Sequence, residues 1–270
     1  MILRTYKPRP PLSEFVDSFW FWKTDDPSHA KARRLPTGCM EFVINLGEDP
    51  LRVYDARDIG DFQQFSGALI CGAHSRSSIS NSSQAAIGVH FKPGGAFPFL
   101  DSAASELRDL HVSLDAVWGR AAGQMRERLL EAQTPQAMFG ILERALLTNA
   151  FRPLARRPAV AAALEGLASA PQKKVSEIGK QTGLSQRRFI QLFSEEVGLT
   201  PKIFSRIQRF QTALRLVGQA GAVNWADIAS ACGYFDQAHF IHDFQAFCGL
   251  NPSVYLAHRD EHINEAPVRD

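Results

Sequence analysis

Residues 228–252 read IASACGYFDQAHFIHDFQAFCGLNP, residues 178–201 read IGKQTGLSQRRFIQLFSEEVGLTP, and the two lines superpose once a residue is added in the turn of the later copy. Ile178 matches Ile228 and Gly183 matches Gly233; beyond the added residue, Phe189, Phe193, Gly198, Leu199 and Pro201 match Phe240, Phe244, Gly249, Leu250 and Pro252. The shared positions are apolar residues at helical spacing and glycines that end helices. Each copy therefore reads as a short helix, a glycine-containing turn and a second helix, capped by Ser185 in one case and by Asp236 in the other. A long helix begun by Pro201, with Ile203, Ile207, Phe210, Leu214 and Val217 on one stripe, joins the two.

The later copy also carries Cys232, His239, His242 and Cys248, residue types that zinc takes. Zinc fingers pair cysteines at short spacing, and this set does not. The counterparts in the earlier copy are Thr182, Arg188, Gln191 and Val197, so the copies share apolar punctuation rather than ligands. No metal and no cofactor are expected. Cys39 and Cys71 are equally isolated, and all four cysteines read as reduced thiols rather than a disulfide framework.

Each second helix leaves one face outward. In the first copy Phe189, Leu192 and Phe193 turn in, and Gln186, Arg187, Ile190, Gln191 and Ser194 turn out. In the second copy Phe240 and Phe244 turn in, and Gln237, Ala238, Ile241, His242 and Gln245 turn out. An outward isoleucine in each copy suits contact with thymine methyl groups, and it equally suits packing on a neighbouring helix. Trp225, Ile228 and Phe235 read as core or turn packing.

The net charge of +2 hides a strong division along the chain. Residues 1–150 hold 16 Lys+Arg and 17 Asp+Glu, residues 151–217 hold 12 against 4, and residues 218–270 hold 2 against 7. A block at +8 is the footprint of a polyanion binder, or else a solvated helical face. Arg206, Arg209 and Arg215 fall largely off the apolar stripe of the long helix, where phosphates are the expected partners of Arg206 and Arg209.

The first hundred residues read as mostly strand. Met40, Phe42, Ile44 and Leu46 alternate with polar or small neighbours, as do Ile87, Val89 and Phe91. That alternation sends Glu41 and His90 away from the apolar faces, toward solvent. PPLSEFVDSF spaces Leu12, Phe15, Val16 and Phe19 as a short helix leading into FWFW. From about Ser105 the pattern turns helical, with a helix from Pro135 through Leu147, and further helices at 158–170 and 175–181. NAFRPLARRPAV, residues 149–160, has the prolines and arginines of a linker.

The expected class is α+β: a mostly-β N-terminal sensing domain with flanking helices at 1–150, a linker at 151–157, and an all-α domain of two helix-turn-helix units joined by a long helix at 158–258, before a tail at 259–270. No run of 18 apolar residues exists and the start MILRTYKPRPP has no apolar signal core, so a cytoplasmic protein with no membrane partner is expected.

Two helix-turn-helix units on one long helix, the second ending ACGYFDQAHFIHDFQAFCGLNPSVY, closely resemble the AraC/XylS transcription regulators over about residues 158–258. RLPTGCMEFVINLG, VHFKPGGAFPFL and ASELRDLHVSLDAVWG are similar to the N-terminal sensing domain of one branch of that family. The resemblance implies double-stranded DNA as partner, an unidentified small-molecule effector at the N-terminal domain, and RNA polymerase and a second copy of the chain as further partners. It places base reading at Arg187, Ile190 and Gln191 and at Gln237, Ala238, Ile241 and His242. Members often carry Arg where this chain has Gln191 and His242, so their sequence preference does not transfer. The alternative is an enzyme or covalent sensor in the N-terminal half, addressed to DNA by the helices. Two cysteines, Cys39 and Cys71, are too few for the family's zinc-bound repair cluster, and neither sits in a nucleophile elbow.

Overall fold

The computed structural model describes residues 1–24, 31–55, 60–81, 83–169, 173–219, 223–258 and 264–268. The N-terminal half is mostly β: β1 (Ile2–Tyr6), β2 (Val16–Lys23), β3 (Lys31–Arg34), β4 (Glu41–Asn45), β5 (Leu51–Tyr54), β6 (Phe62–Phe65), β7 (Ala68–Cys71), β8 (Ser78–Asn81), β9 (Ala85–Phe91) and β10 (His111–Ser113). Three helices follow: α1 (Asp115–Trp118), α2 (Arg120–Glu131) and α3 (Pro135–Thr148). Everything after is helical: α4 (Pro158–Ser169), α5 (Val175–Gln181), α6 (Gln186–Val197), α7 (Pro201–Gln219), α8 (Trp225–Ala231), α9 (Gln237–Cys248) and α10 (Pro252–His258), before a last strand, β11 (Glu265–Pro267). The helix expected at 158–170 ends within the described residues at Ser169, and most of the expected tail lies outside them.

The strands form two antiparallel sheets, ordered β1-β2-β9-β4-β7-β10 and β11-β3-β8-β5-β6. Pairing in the first puts Phe19, Phe21, Phe42, Ile44, Ile70, Ile87, Val89 and Phe91 on one face, all buried. Helices seal that face. Phe139 of α3 stacks on Tyr6 at 5.6 Å, and Trp118 of α1 meets Phe42 edge-on at 5.6 Å while its Nε1 donates to the Phe99 carbonyl at 3.0 Å. Gly88 is set by contact: a Cβ there would lie 2.5 Å from the Trp20 ring.

Two expectations need correction. Residues 12–14 form a 3-10 turn, and β2 starts at Val16 and runs through FWFW, because this interior strand buries Phe19 and Phe21 on one face and carries the half-buried Trp20 and Trp22 on the other, which masks the apolar alternation in the sequence. After Ser105 a 3-10 turn at Ala104–Leu107 and the short edge strand β10 precede the first helix.

Residues 151–157 are bolted down rather than loose. Arg152 donates to the carbonyls of Phe97, Leu100, Asp101 and Ser102, and Arg156 donates to the Pro93 carbonyl at 2.8 Å and the Glu14 carbonyl at 3.1 Å. Arg156 also faces buried Glu196 at 3.9 Å, and Arg157 pairs with Glu195 at 2.8 Å. Further along, Gln208 and Gln211 of α7 donate to the carbonyls of Thr37 and Pro36 at 3.3 and 2.8 Å. Both halves share one hydrophobic core.

Candidate nucleic-acid interface

The two reading helices are built alike. The Ser185 hydroxyl accepts from the Arg188 N–H at 3.3 Å, and the Asp236 carboxylate accepts from the His239 N–H at 2.7 Å, so each helix begins with a satisfied cap. Gly198 and Gly249 end them at φ 88° and 75°, the left-handed conformation that glycine reaches without strain. Phe189 and Phe193, and Phe240 and Phe244, are buried beneath. Gln186, Arg187 and Gln191 on α6, and Gln237, Ala238, His242 and Gln245 on α9, are exposed; Ile190, Ser194 and Ile241 are partly buried. The Ser194 hydroxyl is itself buried, with no partner among the described residues.

Arg206 and Arg209, for which phosphates were the expected partners, both make contacts within the chain. Arg206 grips Asp243 of α9 with both nitrogens, at 2.6 and 3.2 Å, and the Asp243 side chain is 2% exposed. That hydrogen bond raises the Arg206 pKa. Arg209 reaches the Gly233 carbonyl at 3.4 Å and lies over the Tyr234 ring at 5.1 Å. Both hold the second unit onto α7. Sequence spacing placed them off the apolar stripe, and a polar rim serves an internal ion pair as readily as a phosphate.

Of the 12 cations in residues 151–217, Arg152, Arg156, Arg157, Arg206 and Arg209 are thus committed within the chain. Lys173, Lys174, Lys180, Arg187, Arg188, Lys202 and Arg215 remain, and every one is exposed. The basic block is a surface after all, carried by different residues. Arg188, which the face analysis left out, donates to Gln191 at 3.1 Å; Gln191 donates to Glu195 at 2.8 Å, and Glu195 accepts from Arg157. The Arg157 hydrogen bond holds the Glu195 carboxyl below its usual range. A reading residue is therefore wired to a bolt between the two halves.

Phe235 is the clearest miss. Sequence reasoning assigned it to turn packing, yet it is 92% exposed. Cys232 and Cys248 are buried in the helical core, and burial pushes both thiols up to about 11.

The other face of the six-stranded sheet carries a polar row. Ser18, His90, Glu41, Cys71 and His111 lie side by side in successive register across β2, β9, β4, β7 and β10. Trp20 Nε1 donates to Glu41 at 2.6 Å, and His90 Nδ1 lies 3.3 Å from the same carboxylate. Glu41 was expected in solvent, but its side chain is only 25% exposed; His90, at 51%, does reach water. Burial pushes the Cys39 thiol up to about 12 and that of Cys71 higher, so neither is a ready nucleophile.

Beside the row, His111 and His74 stack at 4.5 Å, and Asp109 sits 3.9 Å from His74 while accepting from Ser75 at 2.6 and 2.7 Å. Burial lowers His74 to about 4 and His111 to about 3. The unfolded chain takes up protons at these sites below about pH 6.5 and the native chain does not, so acid favours unfolding. Stability should therefore fall as pH drops from about 6.5 toward 4, by about 2 kcal/mol per histidine at pH 5. Denaturant melts at pH 7 and pH 5 should show that loss, halved by His74→Gln; equal loss in wild type and variant would refute the assignment.

A capped, exposed helix repeated on one long helical strut, with a cationic surface beside it, defines the helix-turn-helix class. Comparison agrees: residues 178–258 match the helix-turn-helix domain model and residues 4–113 match a domain of unknown function, DUF6597. Residues 178–258 of this chain are thus a helix-turn-helix domain, and the architecture is a mostly-β N-terminal half followed by a helical half. The chain is similar to a probable transcriptional regulator, LumQ, of Photobacterium leiognathi, at 29% identity over 86 residues, covering 31% of this chain. It spans about a third of that relative's length, 34%. Among solved structures it is similar to ToxT from Vibrio cholerae, at 10% identity and a TM-score of 0.48 over 94% of this chain and 98% of that one. A ToxT structure bound to (E)-4-(8-methylnaphthalen-1-yl)but-3-enoic acid gives 12% identity and a TM-score of 0.49 over the same shares, 94% and 98%. No helix among the described residues is long and apolar enough to cross a membrane.

Proposed function

We propose that the chain is a sequence-specific DNA-binding regulator of transcription, acting in the cytoplasm, with no enzymatic step of its own and with a small-molecule effector taken by its N-terminal half. The observation that carries this reading is the pairing of two capped reading helices with seven exposed cations in residues 151–217. Backbone phosphates supply affinity through such cations, and the outward residues of α6 and α9 supply discrimination. Gln186, Arg187, Ile190 and Gln191 form one reading surface, without Ser194, whose hydroxyl is buried, and Gln237, Ala238, Ile241, His242 and Gln245 form the other. The functional division is 1–150 for sensing, 151–157 for coupling, 158–258 for DNA and 259–270 for the tail. RNA polymerase and a second copy of the chain are the further partners of this reading.

The effector is assigned to the polar face of the six-stranded sheet, around Trp20, Glu41 and His90, because that face is part open and carries hydrogen-bonding groups while the opposite face is sealed by helices. Tandem reading helices enter successive major grooves about 34 Å apart, so one chain covers an asymmetric site without a palindrome. The test is selection of duplexes from a random pool by the full chain, followed by binding measurements over a range of salt. A shared motif, with affinity falling steeply as salt rises, is expected; recovery of unrelated sequences would refute the proposal.

A further inference from the structure

The residue by which the second unit exceeds the first can be located. In the first unit Gly183 is followed by Leu184 and the cap Ser185; in the second, Gly233 is followed by Tyr234, Phe235 and the cap Asp236. Tyr234 is buried, with its ring 5.3 Å from Phe240, and so takes the partly buried place of Leu184. Phe235 is the addition. It is 92% exposed, whereas Phe240, Phe244 and Phe247 of the same unit are at most 2% exposed. Among the described residues no ring or cation contact involves Phe235, and an aromatic side chain left in water forgoes the gain of burial.

Its position is informative. Phe235 immediately precedes the cap of α9, at the end of a recognition helix that meets base edges. Phe235 itself lies outside the helix, and within α9 Ala238 is followed by Ile241, His242 and Gln245 at three, four and seven positions, the outward stripe that Phe235 precedes. This unit has little else to offer a polyanion. Residues 223–258 contain no Lys or Arg, and Asp227, Asp236 and Asp243 are their only acidic residues. The reading face sets the apolar Ala238 and the partly buried Ile241 among the exposed polar Gln237, His242 and Gln245, and the apolar group on the major-groove edge of DNA that the apolar pair can meet is the thymine C5-methyl.

We infer that Phe235, Ala238 and Ile241 form an apolar ridge that recognises thymine methyl groups in the half-site bound by the second unit. This rests on the DNA-binding reading above and adds the chemistry by which an uncharged unit discriminates. The first unit supplies the cations; the second selects for methyl groups.

The experiment uses the full chain, with duplexes recovered by selection from a random pool and versions in which deoxyuridine replaces thymine in one half at a time. Phe235→Ala should weaken binding to the selected duplex by about 5- to 20-fold with the melting temperature unchanged, since the residue is 92% exposed. Phe235→Leu should retain most of the affinity. Deoxyuridine in the half bound by the second unit should cost wild type about 3- to 10-fold and cost Phe235→Ala nothing further. Unchanged affinity of Phe235→Ala, or a deoxyuridine penalty undiminished in it, would overturn the ridge while leaving DNA binding intact. A change of mass in light scattering with DNA affinity constant would give Phe235 to a protein contact and overturn it too. If selection recovers no shared sequence, the regulator reading fails and the ridge with it.

Discussion

Arg206→Ala should destabilise the folded chain by about 3–5 kcal/mol, the usual cost of leaving a buried charge without its partner. The Asp243 side chain is 2% exposed and takes both guanidinium bonds, at 2.6 and 3.2 Å. The nearby His239 and His242 nitrogens stand off at 4.0 and 3.9 Å, too far to replace them. The arginine also covers the Phe247 ring at 5.2 Å, so truncation removes packing together with charge. Replacing both partners, Arg206→Met with Asp243→Leu, should restore much of the loss. Urea melts of the two variants measure this, and a loss below about 1 kcal/mol for Arg206→Ala would mean that Asp243 is not held as described. Because the residue acts inside the fold, the salt slope of DNA binding should stay at its wild-type value wherever the variant is folded.

The second large effect belongs to the reading face of α6. Arg187 and Gln191 are both exposed on α6, Arg187 in its first turn. Each change to Ala should weaken binding to a selected site by about 1–3 kcal/mol and relax preference at particular base pairs. Arg187 has no hydrogen bond or ion pair among the described residues, whereas Gln191 must turn from Glu195 at 2.8 Å to reach a base. Gln191→Ala should therefore show a smaller net loss than Arg187→Ala, since the free chain gives up a hydrogen bond as well. Arg188→Ala should weaken all sequences alike and flatten the salt dependence, as a phosphate contact does. Competition binding with selected and scrambled duplexes separates these cases; an Arg187→Ala chain with wild-type preference would remove that residue from the reading set.

The helical half was legible because its signals are local. Ser185, Asp236, Gly198 and Gly249 act within one turn of their own positions, and the expected starts of α5, α6 and α7 and the expected stops of α5 and α6 coincide with the observed ones. Faces were legible too, since Phe189, Phe193, Phe240 and Phe244 sit at helical spacing and are buried. Partners were not. An arginine off the stripe of α7 looks the same whether it meets a phosphate or Asp243 some 37 positions later, and only tertiary packing decides. The same holds for Glu41, whose alternation points it off the apolar face while Trp20, 21 positions away, partly encloses it. In β2 the pattern itself was blurred, because both faces of an interior strand carry aromatics. The exposure of Phe235 was not legible because an aromatic next to another aromatic in a turn has the same pattern whether it packs, as Tyr234 does, or faces water.

The short strand β11 has a mechanical consequence. Its backbone pairs with β3 of the N-terminal half, Glu265 with Arg34 through Pro267 with Ala32, and the Asn264 carbonyl accepts from the Leu35 N–H at 2.9 Å. The helical half is therefore moored at both ends, by the arginines of residues 151–157 at one and by this strand at the other. A body moored at one end can swing; one moored at two can only twist or shear until a mooring slips. Three paired residues make a weak rope, a few hydrogen bonds of about 1 kcal/mol each, so it sets the tension at which the halves part and is the first tie to yield when they do.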